Sequence, residues 1–275
     1  MTSSGVVAST NGSEPSCTPS SATALDLLTT TSATDLVTAA VTLQIRTPSA
    51  YPGTFCLAPV VDGDLVPEPP LTALREGRGN PVPLVVGTNE REGAIFRGRI
   101  DILPRSAERL RVVFGQAPPD ARRPMRDAYP GLPARRAAAD FAGDYGFWFP
   151  SVRMADHQSR RAPVFAYRFD VAPRLMRLAG LDATHGVEVP VLFDQGEPPL
   201  VRAMSVLGGR GPYAAAGRRM HDYWLAFATT GTMPDSWPAY TADDRRTLII
   251  DDVDRVESDP RGEKRAVWER FLPQL

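Results

Sequence analysis

The 275-residue sequence contains only two cysteines, Cys17 and Cys56. Two cysteines are too few for a disulfide framework, and neither has neighbours at the spacing of a metal site, so a disulfide-stapled or metal-stapled small fold is excluded. A single bridge between the two remains open, but two reduced thiols are the expected state. No metal centre is predicted.

Long apolar runs are also missing. No stretch of about eighteen consecutive apolar residues occurs, so no membrane-spanning helix is expected. The first residues, MTSSGVVASTNGSEPS, lack the basic region and the apolar core of a secretory signal. These two absences predict a cytoplasmic protein.

Lysine is almost absent, since Lys264 is the only one among 31 basic residues. The basic residues are interleaved with 32 acidic ones and leave a net charge of -1. This balance gives no reason to expect binding to nucleic acid or to an anionic membrane. The 27 prolines and 22 glycines break the chain too often for a coiled coil or a helical bundle.

The order of the predicted elements indicates an α/β fold. Short apolar runs predict strands at 83–87, 163–170 and 247–251, and the first, PLVVG, is typical of a strand buried on both faces of a mostly parallel sheet. Residues 1–22 are rich in Ser, Thr and Gly and are predicted to be disordered or loosely attached, so the folded part spans 23–275. Helices are predicted at 24–40 (two short pieces, with Ser32 as a cap), 71–76, 106–114 (capped by Ser106), 120–128, 134–143, 149–160, 213–230 and 261–271.

A polar loop follows the predicted strand that ends at Gly87, and it holds Asn89, Glu90 and Glu92. In open α/β sheets, functional loops lie beyond the carboxyl ends of the strands. Glu92, with Gly93 next to it, is therefore a candidate for a carboxylate that orients another side chain. A solvated charge in a surface loop is the alternative interpretation.

The sequence has three histidines. His157 is predicted on the exposed side of its helix and His221 lies within a long amphipathic helix, so both are interpreted as structural or surface residues. His185 lies in an irregular loop, next to Gly186 and just ahead of an apolar run. Because a neutral imidazole can accept a proton near pH 7, His185 is the candidate base.

Six stretches, in this order, resemble the type B carboxylesterase family, which includes para-nitrobenzyl esterases and cholinesterases. They run from about residue 55 to the C-terminus and are PVVDGDLVP, GTNEREGAIF, DYGFWFPSVRMAD, PVFAYRFD, THGVEVPVLF and DYWLAFATTGTMPDSWPAY. Several are weak alone. A Glu-Gly pair after a strand, combined with a later His-Gly-x-Glu, makes the resemblance specific.

The resemblance implies an α/β-hydrolase fold with a Ser-Glu-His triad that hydrolyses small-molecule esters without a cofactor. Glu92 matches the triad acid and His185 matches the triad histidine. Glu188, three residues after that histidine, matches an acidic residue that supports the triad without taking part in the reaction. Ile95 and Phe96 match positions that line the substrate gorge.

The family's nucleophile has no counterpart here. No Gly-x-Ser-x-Gly motif occurs, and the Gly208-Gly209 pair follows His185 and cannot be the family's oxyanion loop. We therefore expect a partial α/β-hydrolase fold: the C-terminal half of a mostly parallel sheet with flanking helices, without the nucleophile strand. A truncated, split or misassigned reading frame would produce such a chain, and it would be inactive alone.

Two other interpretations compete with an inactive esterase descendant. A second chain that carries the nucleophile half could complete a split esterase, or the chain could be a non-catalytic binding module built on the same fold. The missing central strands would leave an apolar sheet edge exposed, which predicts poor solubility for the isolated chain.

Overall fold

The computed structural model describes residues 21–96, 101–193 and 203–275, with only the backbone described for 21–23. The described residues belong to two compact units, one that ends at Thr42 and one that spans Leu43–Leu275. The segment predicted to be loose, 1–22, lies outside the described residues except for its last two. Its separation from the rest of the chain therefore stays a prediction.

The first unit contains α1, Ser21–Thr30, and the beginning of α2, Ala33–Ala50. Ser32 separates the two helices and caps the second one. Its Oγ accepts a hydrogen bond from the Asp35 backbone N–H at 3.2 Å and donates one to the Asp35 carboxylate at 2.7 Å. The two helices and the cap at Ser32 are thus confirmed, although α2 continues past the predicted end at residue 40.

A four-stranded sheet forms the centre of the second unit. Its strands are β1 (Leu84–Asn89), β2 (Val164–Phe169), β3 (Arg246–Ile250) and β4 (Arg255–Ser258), in the order β1-β2-β3-β4. The first three strands are parallel, and β4 is antiparallel to β3. The predicted α/β class with a mostly parallel sheet is confirmed. β4 was not predicted, because RVES has no apolar alternation.

The first strand packs against apolar clusters on both faces, as predicted, but its burial is incomplete. Leu84, Val85 and Val86 are only half-buried, because β1 is an edge strand and pairs with β2 alone among the described residues. β2 lies between β1 and β3, and its Val164 and Phe169 are fully buried.

Helices and short turns surround the sheet. Every helix predicted in this unit is present, with ends shifted by a few residues, as is usual for boundaries read from sequence. Two short helices, α8 and α9, were not predicted. The helices are α3 (Pro70–Arg75), α4 (Ala107–Gln116), α5 (Arg122–Ala128), α6 (Arg135–Gly143), α7 (Phe149–Gln158), α8 (Arg174–Leu178), α9 (Val189–Leu192), α10 (Arg210–Thr230) and α11 (Gly262–Phe271).

A π-helical turn, Asp144–Trp148, joins α6 to α7. The sequence suggested two separate helices here, whereas the backbone stays helical from Arg135 to Gln158. Pro150, which has no backbone N–H to donate to the preceding turn, directly follows the π-helical turn.

Two apolar cores hold the second unit together. One lies between the sheet and α10, and the other is formed by α4, α5, α6 and α11. Trp237 in the first core satisfies its buried N–H by donating to the Ala166 carbonyl at 3.0 Å. Their aromatic members include Phe165, Phe169, Tyr213 and Trp237 in the first core and Phe114, Phe141, Trp268 and Phe271 in the second.

The predicted exposure of His157 is wrong, since its residue surface is only 2% exposed. Helix α7 packs against α3. Gln158, the next residue, donates to the carbonyls of Asn80 and Val82 at 3.0 and 2.7 Å. The interpretation of His221 as structural agrees with its ring, whose Nδ1 lies 2.9 Å from the Leu192 carbonyl.

Candidate active site

The chain leaves β1 at Asn89 and folds into a 3-10 turn, Glu92–Ala94. This turn brings the Glu92 carboxylate back to the end of its own strand, where Oε1 accepts the Asn89 backbone N–H at 2.6 Å. Glu92 is 6% exposed, so it is not the solvated loop charge of the alternative interpretation. One carboxylate oxygen is fixed by the backbone, and the other is free to orient a second side chain.

The turn lies against α6, and this contact requires glycine at position 93. A Cβ on Gly93 would stand 2.0 Å from the Ala139 carbonyl oxygen and 2.8 Å from the Gly143 nitrogen. The Glu-Gly pair of the motif therefore has a packing reason: only glycine lets the backbone that carries Glu92 come so close to the helix.

His185 lies in the loop between α8 and α9, and hydrogen bonds tie this loop to the one after β1. The Arg91 backbone N–H donates to the Ala183 carbonyl at 2.9 Å, and the buried Thr184 hydroxyl accepts the Ile95 backbone N–H at 2.9 Å. Because parallel β1 and β2 end at the same edge of the sheet, the loops that follow them meet there. One backbone hydrogen bond and one to the Thr184 hydroxyl thus hold the two loops together.

The two predicted triad residues are in direct contact. His185 Nδ1 lies 2.7 Å from Glu92 Oε2. The hydrogen bond with Glu92 raises the pKa of His185 above its ordinary value, against the opposing effect of burial. A carboxylate at Nδ1 favours the tautomer with its proton on that atom, which leaves Nε2 as the basic nitrogen.

The other ring nitrogen of His185, Nε2, is accessible to a second group. No described residue forms a hydrogen bond with Nε2, and the side chain is 47% exposed. An imidazole that is anchored at Nδ1 and open at Nε2 can accept a proton from a hydroxyl placed beside it.

Glu188 supports this pair without touching His185. Its Oε2 accepts the Asn89 side-chain N–H at 2.6 Å, and the Asn89 backbone binds Glu92. Burial raises the pKa of Glu188, with the Asn89 hydrogen bond opposing. Asn89 thus links the two carboxylates, one through its side chain and one through its backbone.

Of the two predicted lining residues, Phe96 contacts the histidine directly. The Phe96 and His185 ring centroids are 5.4 Å apart. Ile95 packs in the same apolar cluster as Phe96, and its backbone is bonded to Thr184.

Two residues of the site were missed from the sequence. Phe147 is the aromatic ring closest to His185, with centroids 4.6 Å apart, and its position depends on the π-helical turn, which no sequence pattern indicated. Arg91 is buried and ties the site loop to its surroundings, with hydrogen bonds to the Gly180 carbonyl, to Asp182 and to Asp140. Its place between Glu90 and Glu92 resembled that of a solvated charge.

One cavity in the described part of the chain lies away from this pair. A cavity of about 50 Å³ under the sheet, lined by residues such as Val86, Trp148 and Tyr240, includes neither Glu92 nor His185. Among the described residues, no group of three or more His, Cys, Asp or Glu side chains is placed to hold a metal, and no helix is long and apolar enough to cross a membrane. Cys56 is a free thiol, and Cys17 lies outside the described residues.

Comparison with known sequences gives the same relatives over most of the chain. A profile described as "Carboxylesterase family" matches residues 4–268. Para-nitrobenzyl esterase of Bacillus subtilis (strain 168) is 32% identical over 245 residues, which are 88% of this chain and 48% of that protein. Acetylcholinesterase of Bungarus fasciatus is 26% identical over 249 residues, which are 80% of this chain and 40% of that protein.

Solved structures agree with the sequence matches. A PNB esterase superposes with a TM-score of 0.72 at 30% identity, covering 88% of this chain and 49% of that one. A carboxylesterase of Geobacillus stearothermophilus superposes with a TM-score of 0.67 at 29% identity, covering 89% of this chain and 50% of that one. The chain therefore spans about half the length of the relatives that it matches.

Proposed function

Because the chain belongs to the carboxylesterase family, we propose that Glu92 and His185 are the acid and the base of a Ser-Glu-His triad that hydrolyses carboxylic esters. The contact of 2.7 Å between His185 Nδ1 and Glu92 Oε2 is the observation that carries the proposal. The serine lies outside these 275 residues, which contain no Gly-x-Ser-x-Gly motif. Alone, the chain is therefore inactive.

The geometry suits each proton transfer. With its proton on Nδ1, His185 takes the serine proton at Nε2 while the serine oxygen attacks the ester carbonyl carbon. The buried Glu92 carboxylate stabilises the imidazolium that forms. His185 then gives the proton to the departing alcohol, and a water molecule repeats the sequence on the acyl-enzyme to release the acid.

The surrounding residues have supporting roles in this proposal. Glu188 accepts a hydrogen bond from the Asn89 side chain, and the Asn89 backbone N–H donates to Glu92 Oε1, the carboxylate oxygen that does not contact His185. Ile95 and Phe96 form an apolar wall beside the imidazole, where a small-molecule ester would lie. The reaction needs no cofactor, because the acyl group is carried by the serine.

The half-buried edge of β1 is where the missing part would join. Added strands next to β1 would continue the parallel sheet and cover Leu84, Val85 and Val86, as strands of a parallel sheet are normally covered. The partner in this proposal is a segment that carries the nucleophile, whether it is joined to this chain or separate from it.

Two experiments test the proposal. The purified chain is first mixed with p-nitrophenyl acetate and with a fluorophosphonate probe; we expect neither turnover nor labelling. The nucleophile-bearing first part of the Bacillus subtilis para-nitrobenzyl esterase is then fused ahead of this chain, or co-expressed with it. Esterase activity should appear and fall by roughly a thousandfold or more in Glu92→Ala and His185→Ala, because the triad acts as a unit.

His221→Ala is the matched control, since this histidine bonds only a structural carbonyl in the described part of the chain and should leave the activity in place. Labelling of a serine in the isolated chain would contradict the proposal. So would a fusion that keeps full activity without His185, or a folded fusion with no activity at all.

A non-catalytic binding module is the second candidate, and the absence of a Gly-x-Ser-x-Gly motif from these residues favours it. In that case Glu92 and His185 are remnants, and the fusion stays inactive although it folds. The same experiment therefore separates the two candidates.

A further inference from the structure

The π-helical turn Asp144–Trp148 has a specific effect on the site. A π turn holds one residue more than an α turn, so it shifts the following side chains by about 100° around the helix axis. Such turns are rare and often lie at functional sites. This one packs tightly on its neighbours: a Cβ on Gly146 would stand 2.9 Å from Leu103 Cδ2. It presents the next residue, Phe147, to His185.

Three rings meet at this point. The centroid of Phe147 lies 4.6 Å from that of His185, with an interplanar angle of 33°. Phe96 lies 5.4 Å from His185 and 5.5 Å from Phe147. Each ring thus contacts the other two, and the phenylalanines belong to one apolar cluster with Ile102 and Leu103.

His185 needs such a support because its other restraints are few. The bond from Nδ1 to Glu92 is the only hydrogen bond that the ring forms among the described residues, so it alone opposes rotation of the ring about the Cβ–Cγ bond. The next residue, Gly186, has a φ of 74° in the left-handed region. As a glycine it has no side chain that could pack beside the ring. Half of the imidazole side chain faces solvent. An aromatic ring packed against the imidazole adds a second restraint on this rotation.

We propose that Phe147 is a positioning residue for His185, presented by the π-helical turn. Its ring face holds the imidazole plane in the orientation where Nδ1 donates to Glu92 and Nε2 faces outward, and it keeps water away from the Nδ1–Oε2 bond. A hydrogen bond shielded from water is stronger than an exposed one. The inference rests on the proposed role of His185 as the base and adds the means by which its orientation is kept.

The test measures the imidazole itself, in the chain as it exists. Nitrogen NMR of histidine-labelled protein reads the tautomer and protonation of each ring, and His185→Gln assigns one signal among the three histidines. In the wild type, above the His185 pKa, we expect the proton on Nδ1 and slow exchange of that proton with water. Glu92→Gln should abolish both features.

Phe147→Ala and Phe147→Leu should each lower the ratio of the Nδ1–H to the Nε2–H tautomer by roughly twofold to tenfold, the range that an aromatic pair contributes. The Nδ1 proton should also exchange faster. Phe147→Tyr keeps the ring and should restore the wild-type tautomer ratio. Phe165→Leu is the matched control: it removes a ring from the core between the sheet and α10, so it should lower stability without changing His185.

The outcomes separate this inference from the proposed function. A wild-type His185 without the Nδ1–H tautomer, or one indifferent to Glu92→Gln, overturns both. A wild type that behaves as expected, with Phe147→Ala and Phe147→Leu identical to it, overturns the role of Phe147 alone. If Phe165→Leu shifts the tautomer as much as Phe147→Leu does, the effect is a general loss of stability, and the role of Phe147 is again overturned.

Discussion

At the scale of single residues, the two buried or half-buried histidines of the second unit respond to pH in opposite directions. Burial lowers the pKa of His157, with help from the nearby Arg153 and Arg160 and against Asp156. Neither ring nitrogen of His157 has a hydrogen-bond partner among the described residues, so the neutral ring is the favoured state. The pKa of His185 is raised instead, because the hydrogen bond with Glu92 stabilises the protonated imidazole.

The buried His157 should therefore lower the free energy of unfolding at acidic pH. Its folded pKa lies below the unfolded value of about 6.5, so the unfolded chain binds the proton more readily. Stability is full above that value and falls as the pH drops through it toward the folded pKa. Replacing His157 by Leu should remove this loss, which urea unfolding at pH 8 and pH 5 (roughly 1.5 units on either side of 6.5) would measure.

His185→Gln provides the comparison of opposite sign. The raised pKa of His185 gives stability that is present below the unfolded value and is lost as the pH rises through the folded one. His185→Gln should therefore lower the free energy of unfolding more at pH 5 than at pH 8. An unchanged pH profile in His157→Leu would show that the buried ring is already hydrated or paired.

At the scale of elements, the closest contact in the site is between the Glu92–Ala94 turn and α6. Gly93→Ala should destabilise the chain by about 1–3 kcal/mol, the usual range for overpacking, because its Cβ would collide with the Ala139 carbonyl oxygen. The variant should also lengthen or break the contact between Glu92 and His185, so the Nδ1 proton of His185 should exchange faster.

Gly115→Ala is the control for that prediction. Gly115 lies in α4 with open space around the added Cβ, so alanine there should be neutral or stabilise by about 0.5–1 kcal/mol. Equal unfolding midpoints for the two variants in urea would contradict the packing argument.

The sequence predicted the elements whose cause is local. β1, β2 and β3 were predicted from apolar runs, and the caps at Ser32 and Ser106 from short polar side chains that accept backbone N–H groups. Elements that depend on packing were missed. At the π-helical turn, Gly143 and Gly146 let helix α6 and the turn lie close to Gly93 and Leu103, and no hydrophobic periodicity indicates such contacts.

The site divides in the same way. Glu92, His185 and Glu188 were predicted because their motifs are recognisable in the sequence. In the structure Glu92 contacts His185, and Asn89 binds both carboxylates. Phe147 carried no signal, since one phenylalanine in an aromatic helix resembles any core residue. The exposure of His157 was misjudged because its cover comes from a segment distant in sequence.

At the scale of the whole molecule, the second unit exposes a run of apolar side chains before its first strand. Leu65 is 87% exposed and Leu57 is 70% exposed, and Phe55, Val60 and Val61 are about half exposed or more. Exposed apolar side chains that lie together are typical of a surface that associates. Under the proposed function, this run and the open edge of β1 are surfaces against which the further part of the protein would pack.

We expect the purified chain to self-associate, in a concentration-dependent way that sedimentation velocity can follow. The double variant Leu57→Ser, Leu65→Ser should associate less while its melting temperature stays close to that of the wild type, since neither side chain lies in a core. Leu225→Ser, on the exposed side of α10, is the control for an isolated surface leucine. A wild type that remains monomeric over the whole concentration range would contradict the expectation.

The open Nε2 atom of His185 has a practical consequence. Its nitrogen resonance depends on whether a hydroxyl lies beside it, while Nδ1 stays bound to Glu92. A single signal in this chain can therefore serve as a built-in sensor. Candidate fragments, added one at a time, can be screened for those that deliver a serine to the imidazole, before any ester has been chosen as substrate.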